Sequence, residues 1–254
     1  MFTIATGLQS LQADPQGHFH GPMAHAYACG AQMAVTNEAP WNIVFRSCAC
    51  CDVEQKREML RRSWGVHDPQ GWRATLDTLL SDQSSDQCAS IVMGIRRQMV
   101  QYYRGLIDPG TWQGAIANWC GQNGCQDLQP ALMETMGRIV RYEASLLGDG
   151  VLMAGDFVRD MLAYDFGRAV NFARWGVHAQ YVDPQTAEAL ILHAGAQCRR
   201  HYNSWAEISA GYILGRSLRF DKDEYGEFYT EPVAAHHTLV NHPQSPWRNI
   251  PFHM

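Results

Sequence analysis

Four polar residues stand on otherwise apolar helical surfaces in the second half of this 254-residue chain: Asp165, Arg168, Tyr212 and Arg216. Asp165 and Arg168 are three residues apart, a spacing that lets them pair on one helix face. Tyr212 and Arg216 are four apart and share a face of another helix. If the two helices pack, a carboxylate, two guanidinium groups and a phenol meet in the interior. Guanidinium groups present paired N–H donors to phosphate or carboxylate oxygens, so one reading is an anion or phosphate site. The other reading is a buried ion-pair network that fixes how the helices dock. Gly167 and Gly215 lie beside the charged residues and favour close packing, which supports the architectural reading. Tyr164, next to Asp165, and Ser204-Trp205, at the start of the helix that carries Tyr212, complete the candidate set.

The eight cysteines are too few for a disulfide scaffold in a chain of this length. Cys48-x-Cys50-Cys51, with Cys29 as a further ligand, is a weak zinc candidate. Its spacing is not the C-x-x-C that lets two thiolates reach one tetrahedral ion. Cys120 and Cys125 form a second loose pair, and the vicinal Cys50 and Cys51 are an equally weak redox candidate. His236, His237, His242 and His253 near one end, and His18, His20 and His25 near the other, read first as surface or packing imidazoles. No G-x-S-x-G, P-loop, G-x-G-x-x-G or H-E-x-x-H motif is present. No metal and no cofactor is therefore expected, and no catalytic residue can be named.

These groups must be held by helices. Hydrophobic residues make up 46% of the chain and charged residues 18%, enough apolar material for a substantial core. No period-two strand pattern stands out, and start signals for helices recur. Asp52 precedes VEQKREMLRRSW, which Gly65 closes; Asp68-Pro69, Asp108-Pro109 and Asp183-Pro184 each put a cap before a proline at the first helical position. Ser84 or Ser85 begins a long segment through Leu106, and Pro130–Leu147 is helical again. Ser204 with Glu207 reads as a capping box. Pro22–Asn37 reads as one buried helix, and a stripe from Phe157 through Trp175 as another that starts near Gly155. The expectation is an all-α domain of about seven to nine helices over residues 21–254. A loose polar arm is expected over residues 1–20, and an irregular, proline-rich tail after Phe220.

The net charge of −5 and the unclustered basic residues argue against a nucleic-acid partner. The first residues lack the basic and apolar regions of a signal peptide, and no apolar run is long enough to span a bilayer, so a soluble, cytoplasmic protein is expected.

One ordered set of short motifs is more specific than any of its members. It comprises Trp64-Gly65-Val66, Trp72 and Leu76, then Tyr164-Asp165-Phe166-Gly167-Arg168 and Ala173-Arg174-Trp175-Gly176. Ser204-Trp205, Tyr212 with Gly215-Arg216, and Ser245-Pro246-Trp247 follow. In this set the chain resembles the bacterial family called domain of unknown function 1266, over about residues 60–250 and most densely over 160–220. The family pattern usually begins its first polar motif with Trp, where this chain has Tyr164. The resemblance implies a helical bacterial domain and carries over no catalytic residues.

Two functions of different kinds follow. The first is a soluble interaction domain, of the kind that immunity proteins use to neutralise a toxin or effector. The alternative is an enzyme or binding domain for a phosphorylated or nucleotide-like small molecule, using Asp165, Arg168, Tyr212 and Arg216.

Overall fold

Aspartates start five of the helices, in a computed structural model that describes residues 10–45, 52–81 and 86–253. The carboxylates of Asp52, Asp68, Asp86, Asp108 and Asp183 each accept from backbone N–H groups of the first turn that follows. Those N–H groups have no partner inside the helix, so each cap satisfies a donor that would otherwise be left unpaired. Ser204 does the same for Glu207. Its capping box is offset by one residue, because Glu207 reaches back to the Asn203 N–H rather than to that of Ser204.

In chain order the helices are α1 (Gly21–Cys29), α2 (Ala31–Thr36), α3 (Val53–Trp64), α4 (Pro69–Leu79), α5 (Gln87–Tyr103) and α6 (Pro109–Asn123). They continue with α7 (Gln129–Gly148), α8 (Leu162–His178), α9 (Pro184–His201), α10 (Trp205–Phe220), α11 (Glu227–Asn241) and the single turn α12 (Pro246–Asn249). The described residues contain no strand, so the all-α expectation holds, while eleven helices and a terminal turn exceed the seven to nine expected. None of these helices is long and apolar enough to cross a membrane.

The excess has local causes. The segment read as one helix over Pro22–Asn37 is broken at Gly30, where α1 ends and α2 begins. A Cβ at Gly30 would lie 2.6 Å from a methyl of Val170, so the break lets the chain pass close against α8. The tail after Phe220 is largely helical rather than irregular. Pro232 sits inside α11 and removes one N–H, yet Tyr229, Val233, His236 and Leu239 form a buried stripe that holds the helix down. In the other direction, α8 starts at Leu162, so Phe157 and Met161 precede it. The helix read from Ser84 or Ser85 begins at Gln87 behind its Asp86 cap, and both serines lie outside the described residues.

Residues 10–20, the described part of the expected polar arm, are held at Asn42. The Asp14 N–H donates to its side-chain oxygen at 2.7 Å, and its amide donates back to the Asp14 carbonyl at 2.9 Å.

Fifteen of the seventeen residues of α8 are buried, which makes it an interior helix. It packs against α9 and α10 and is covered on other sides by α1, α2, α3 and α4. Two apolar clusters result. One is built on α8 and the elements around it, and the other on α5, α6, α7 and the segment 151–161. Helix α10 is the wall between them: Trp205, Ile208 and Tyr212 face the first cluster, and Ala210, Ile213, Leu214 and Leu218 the second.

Candidate functional site

Helices α8 and α10 carry the same five-residue pattern, Tyr-x-x-Gly-Arg, at 164–168 and 212–216. The two copies interlock. A Cβ at Gly167 would lie 3.1 Å from the Tyr212 ring, and one at Gly215 would lie 2.7 Å from the Tyr164 Cβ. Each tyrosine thus packs on the other helix's glycine, and the two rings meet edge to face at 5.2 Å. Burial raises both phenols above the ordinary tyrosine range, against the nearby Arg168 and Arg216 charges, so both stay protonated at neutral pH.

The interlock sends the two arginines to different sides. Arg168 pairs with Asp165 on its own helix, as the spacing predicts, and both side chains are only 7% exposed. Its guanidinium stacks over the Tyr164 ring at 4.1 Å and faces Trp64 at 5.5 Å. Arg216 turns instead to α11, where it pairs with Glu231 at 2.6 Å and lies over Phe228. The four residues therefore do not form one cluster. Asp165 with Arg168, and Arg216 with Glu231, are separate pairs, with Tyr164 and Tyr212 packed between the helices.

The Asp165–Arg168 pair is not sealed in. With Tyr164, Trp64 and Arg219 it lines a cleft of about 540 Å³, whose opposite wall carries Thr75 and Thr78 of α4. A neighbouring groove of about 470 Å³ shares Tyr164, Asp165 and Arg219. The Arg168 Nε–H is buried and finds no acceptor among the described residues. The cleft thus offers guanidinium donors, hydroxyls and aromatic faces around one carboxylate that is already engaged. The protonated Tyr164 phenol on this cleft offers no base at neutral pH.

Ser204 and Trp205 stand elsewhere. Ser204 caps α10 and borders a larger groove of about 950 Å³ between α5, the segment 151–159 and α10. Trp205 is core: its indole donates to the Ile250 carbonyl at 2.9 Å and stacks on Trp247 at 6.0 Å. Cys48, Cys50 and Cys51 lie outside the described residues. Among the described residues no group of three or more His, Cys, Asp or Glu side chains is arranged to hold a metal. His236 is buried in α11 rather than in a tail, with its Nδ1 2.8 Å from the Ser209 hydroxyl, and Gln32 donates to the same oxygen.

Two buried arginines stand outside the candidate set: Arg96 is absent from the sequence reading, and Arg174 enters it only within the Ala173-Arg174-Trp175-Gly176 motif. Arg96 of α5 makes a two-pronged bond to Glu143 at 2.7 and 2.8 Å and lies over Trp112 at 4.2 Å. Arg174 of α8 donates to Asn171 and to the Pro40 carbonyl; burial lowers its pKa to about 10, so it remains charged at neutral pH. The available signal was a charge on an apolar stripe: Arg96 lies between Val92 and Met99 at helical spacing.

Comparison with known proteins agrees with the motif reading. No curated protein and no solved structure matches the chain. The sequence model of one family, described as protein of unknown function (DUF1266), matches residues 59–252. That span holds α4 to α12, most of the two clusters, and every residue of the Tyr-x-x-Gly-Arg interlock, and the chain belongs to the DUF1266 family.

Proposed function

We propose that this chain is a binding domain for a small phosphorylated or nucleotide-like molecule, held in the cleft between α3, α4, α8 and α10. The observation that carries the proposal is the Asp165–Arg168 pair at the wall of an open cleft that Arg219 also lines. Guanidinium groups at a cleft wall present paired donors to an anionic oxygen. Arg219 on the same cleft adds positive charge, and Trp64 and Phe220 add flat apolar surface for a base or another planar group.

The test is calorimetric titration of the full chain with inorganic phosphate and with nucleoside mono-, di- and triphosphates. Saturable binding of a phosphorylated probe is expected. Arg168→Lys keeps the charge but loses the planar fork, and should weaken that binding at least tenfold, while Arg216→Lys, on the α11 side, leaves it within about twofold. Absence of saturable binding by every probe, or equal binding by Arg168→Lys, would overturn the proposal.

A second reading, a cytoplasmic bacterial interaction protein of the immunity type, is favoured by a different observation. Tyr102, Tyr103 and Leu106 are exposed together at the end of α5, with Tyr102 at 80%. Gln98 and Gln101 of the same helix line the 950 Å³ groove. Exposed aromatic groups beside a groove suit a protein partner such as a toxin or effector. A stoichiometric partner that co-purifies with the chain and is lost from a Tyr102→Glu/Tyr103→Glu variant would support this reading; retention of the partner by that variant would exclude this surface.

A further inference from the structure

Cys29 of α1 and Cys198 of α9 are buried and unbridged, and lie close enough for each thiol to shift the ionisation of the other. Backbone contact one turn earlier brings them together. A Cβ at Gly195 would lie 2.7 Å from the Ala26 Cβ and 2.8 Å from its Cα. Ala26 and Gly195 each stand three residues before a cysteine, so the two sulfurs project from the next turn of helices that already touch. Disulfide formation needs closely spaced backbones, and α1 and α9 touch within one turn of both cysteines.

The surroundings set the two thiols apart. His25 Nδ1 lies 4.0 Å from the Cys29 sulfur and accepts from Arg199 at 3.2 Å, while the His25 Nε2–H donates to the Phe252 carbonyl at 2.8 Å. Burial alone would raise the Cys29 thiol. The neighbouring Cys198 thiol and the positive Arg199 charge work against burial, and the Cys29 thiol lies below its ordinary range, whereas burial and the neighbouring Cys29 push Cys198 well up. One sulfur is thus prepared as the attacking thiolate, and the other keeps its proton.

We propose that Cys29 and Cys198 form a thiol-oxidation site at which a hydroperoxide links α1 to α9 through a disulfide. The Cys29 thiolate attacks one peroxide oxygen and breaks the O–O bond. Cys29 becomes a sulfenic acid, and the departing oxygen takes the proton released by the Cys29 thiol and leaves as water. The Cys198 sulfur then attacks the Cys29 sulfur. The S–S bond forms, and the hydroxyl leaves with the Cys198 proton as a second water. Two thiols lose two electrons in all, and one hydrogen peroxide becomes two waters. Trp205 and Phe252 close over His25 at 4.9 and 5.6 Å, so entry of the oxidant requires the segment 250–253 to lift.

The test treats the reduced full-length protein with hydrogen peroxide under native conditions, removes the peroxide, and alkylates the remaining thiols after unfolding. The expected result is a peptide pair joined through Cys29 and Cys198, reversed by a thiol reductant, with a higher denaturation midpoint for the oxidised chain. Phe252→Ala, which uncovers His25, should form the same link at least threefold faster. The proposal is overturned if both thiols remain alkylatable in the native protein and in Phe252→Ala, or if Cys29 links to another cysteine. Cys198→Ser should leave Cys29 as a sulfenic or sulfinic acid; an unmodified Cys29 in that folded variant would equally overturn it.

Discussion

Tyr164 and Gly215 meet with no space between them: a methyl group on Gly215 would lie 2.7 Å from the Tyr164 Cβ and 3.2 Å from the Met161 carbonyl oxygen. The crossing of α8 and α10 therefore depends on the absence of a side chain at 215. Gly215→Ala should destabilise the protein by about 1–3 kcal/mol, because neither a Cβ nor a backbone carbonyl can move aside cheaply. Gly121→Ala makes the control. That glycine lies within α6 and a Cβ there meets nothing within 4 Å, so alanine should be neutral or stabilising by up to about 1 kcal/mol. Unfolding free energies from denaturant titration should place the two variants at least about 1 kcal/mol apart in the stated sense.

Asp165 and Arg168 neutralise each other where water barely reaches, and the value of the pair shows only when it is broken. Asp165→Asn leaves a buried guanidinium without its counter-charge and should cost about 3–5 kcal/mol. Asp165→Asn/Arg168→Met removes the charge as well and should recover at least half of that loss. A double-mutant cycle on unfolding free energies measures the coupling. A strictly additive double variant would mean that the pair contributes nothing as a pair.

Much of α9 and α10 was legible because their signals are local, whereas α8 has no side-chain cap and starts later than its apolar stripe suggests. Asp183 with Pro184, and Ser204 with Glu207, mark helix starts within four residues. The Asp165–Arg168 pair was legible for the same reason, since both ends lie on one helix. The partner of Arg216 was not. Glu231 belongs to α11, and a segment containing Pro232 reads as a break when the stripe that packs it against α2 and α10 is not weighed. The split of the candidate cluster likewise depends on the angle at which two glycines let α8 and α10 cross, which helix periodicity does not encode. The cleft beside Arg168 needs α3 and α4 in place, and their position is set by long-range contacts such as the Trp72 indole donating to the Phe172 carbonyl at 3.1 Å.

His236 makes stability depend on pH in a direction that can be stated. Burial lowers its pKa from the ordinary 6.5 to about 4, so it is neutral in the folded chain while the unfolded chain binds a proton below pH 6.5. The unfolded state therefore holds more protons between about pH 6.5 and 4, and stability falls as the pH drops through that window. The loss attributable to His236 is at most about 3 kcal/mol. His178, also lowered to about 4 by burial and by the Lys56 and Arg174 charges, acts in the same sense but is partly exposed. Unfolding free energies at pH 7.5 and 5.0 should show a smaller difference for His236→Asn than for the parent chain. An unchanged pH dependence would remove His236 as a source of acid sensitivity.

Arg96 and Glu143 join α5 to α7, and through them hold the segment that leads into α8. The Arg96 fork uses both Glu143 oxygens and also donates to the Val158 carbonyl at 2.8 Å, while the Val158 N–H donates to Glu143 at 2.7 Å. Arg96→Lys keeps the charge, but its compact ammonium cannot reproduce two parallel bonds while lying flat on Trp112 and Phe157. A loss of about 2–3 kcal/mol is expected for Arg96→Lys, and about 3–5 kcal/mol for Arg96→Met, which strands a carboxylate that is only 15% exposed. The local consequence is sharper than the global one. The Val158 amide is protected by a carboxylate that Arg96 positions, so its hydrogen exchange should accelerate in Arg96→Lys by more than the fall in global stability explains. Exchange at Val158 that merely follows the global change would mean that Glu143 holds this segment without help from Arg96.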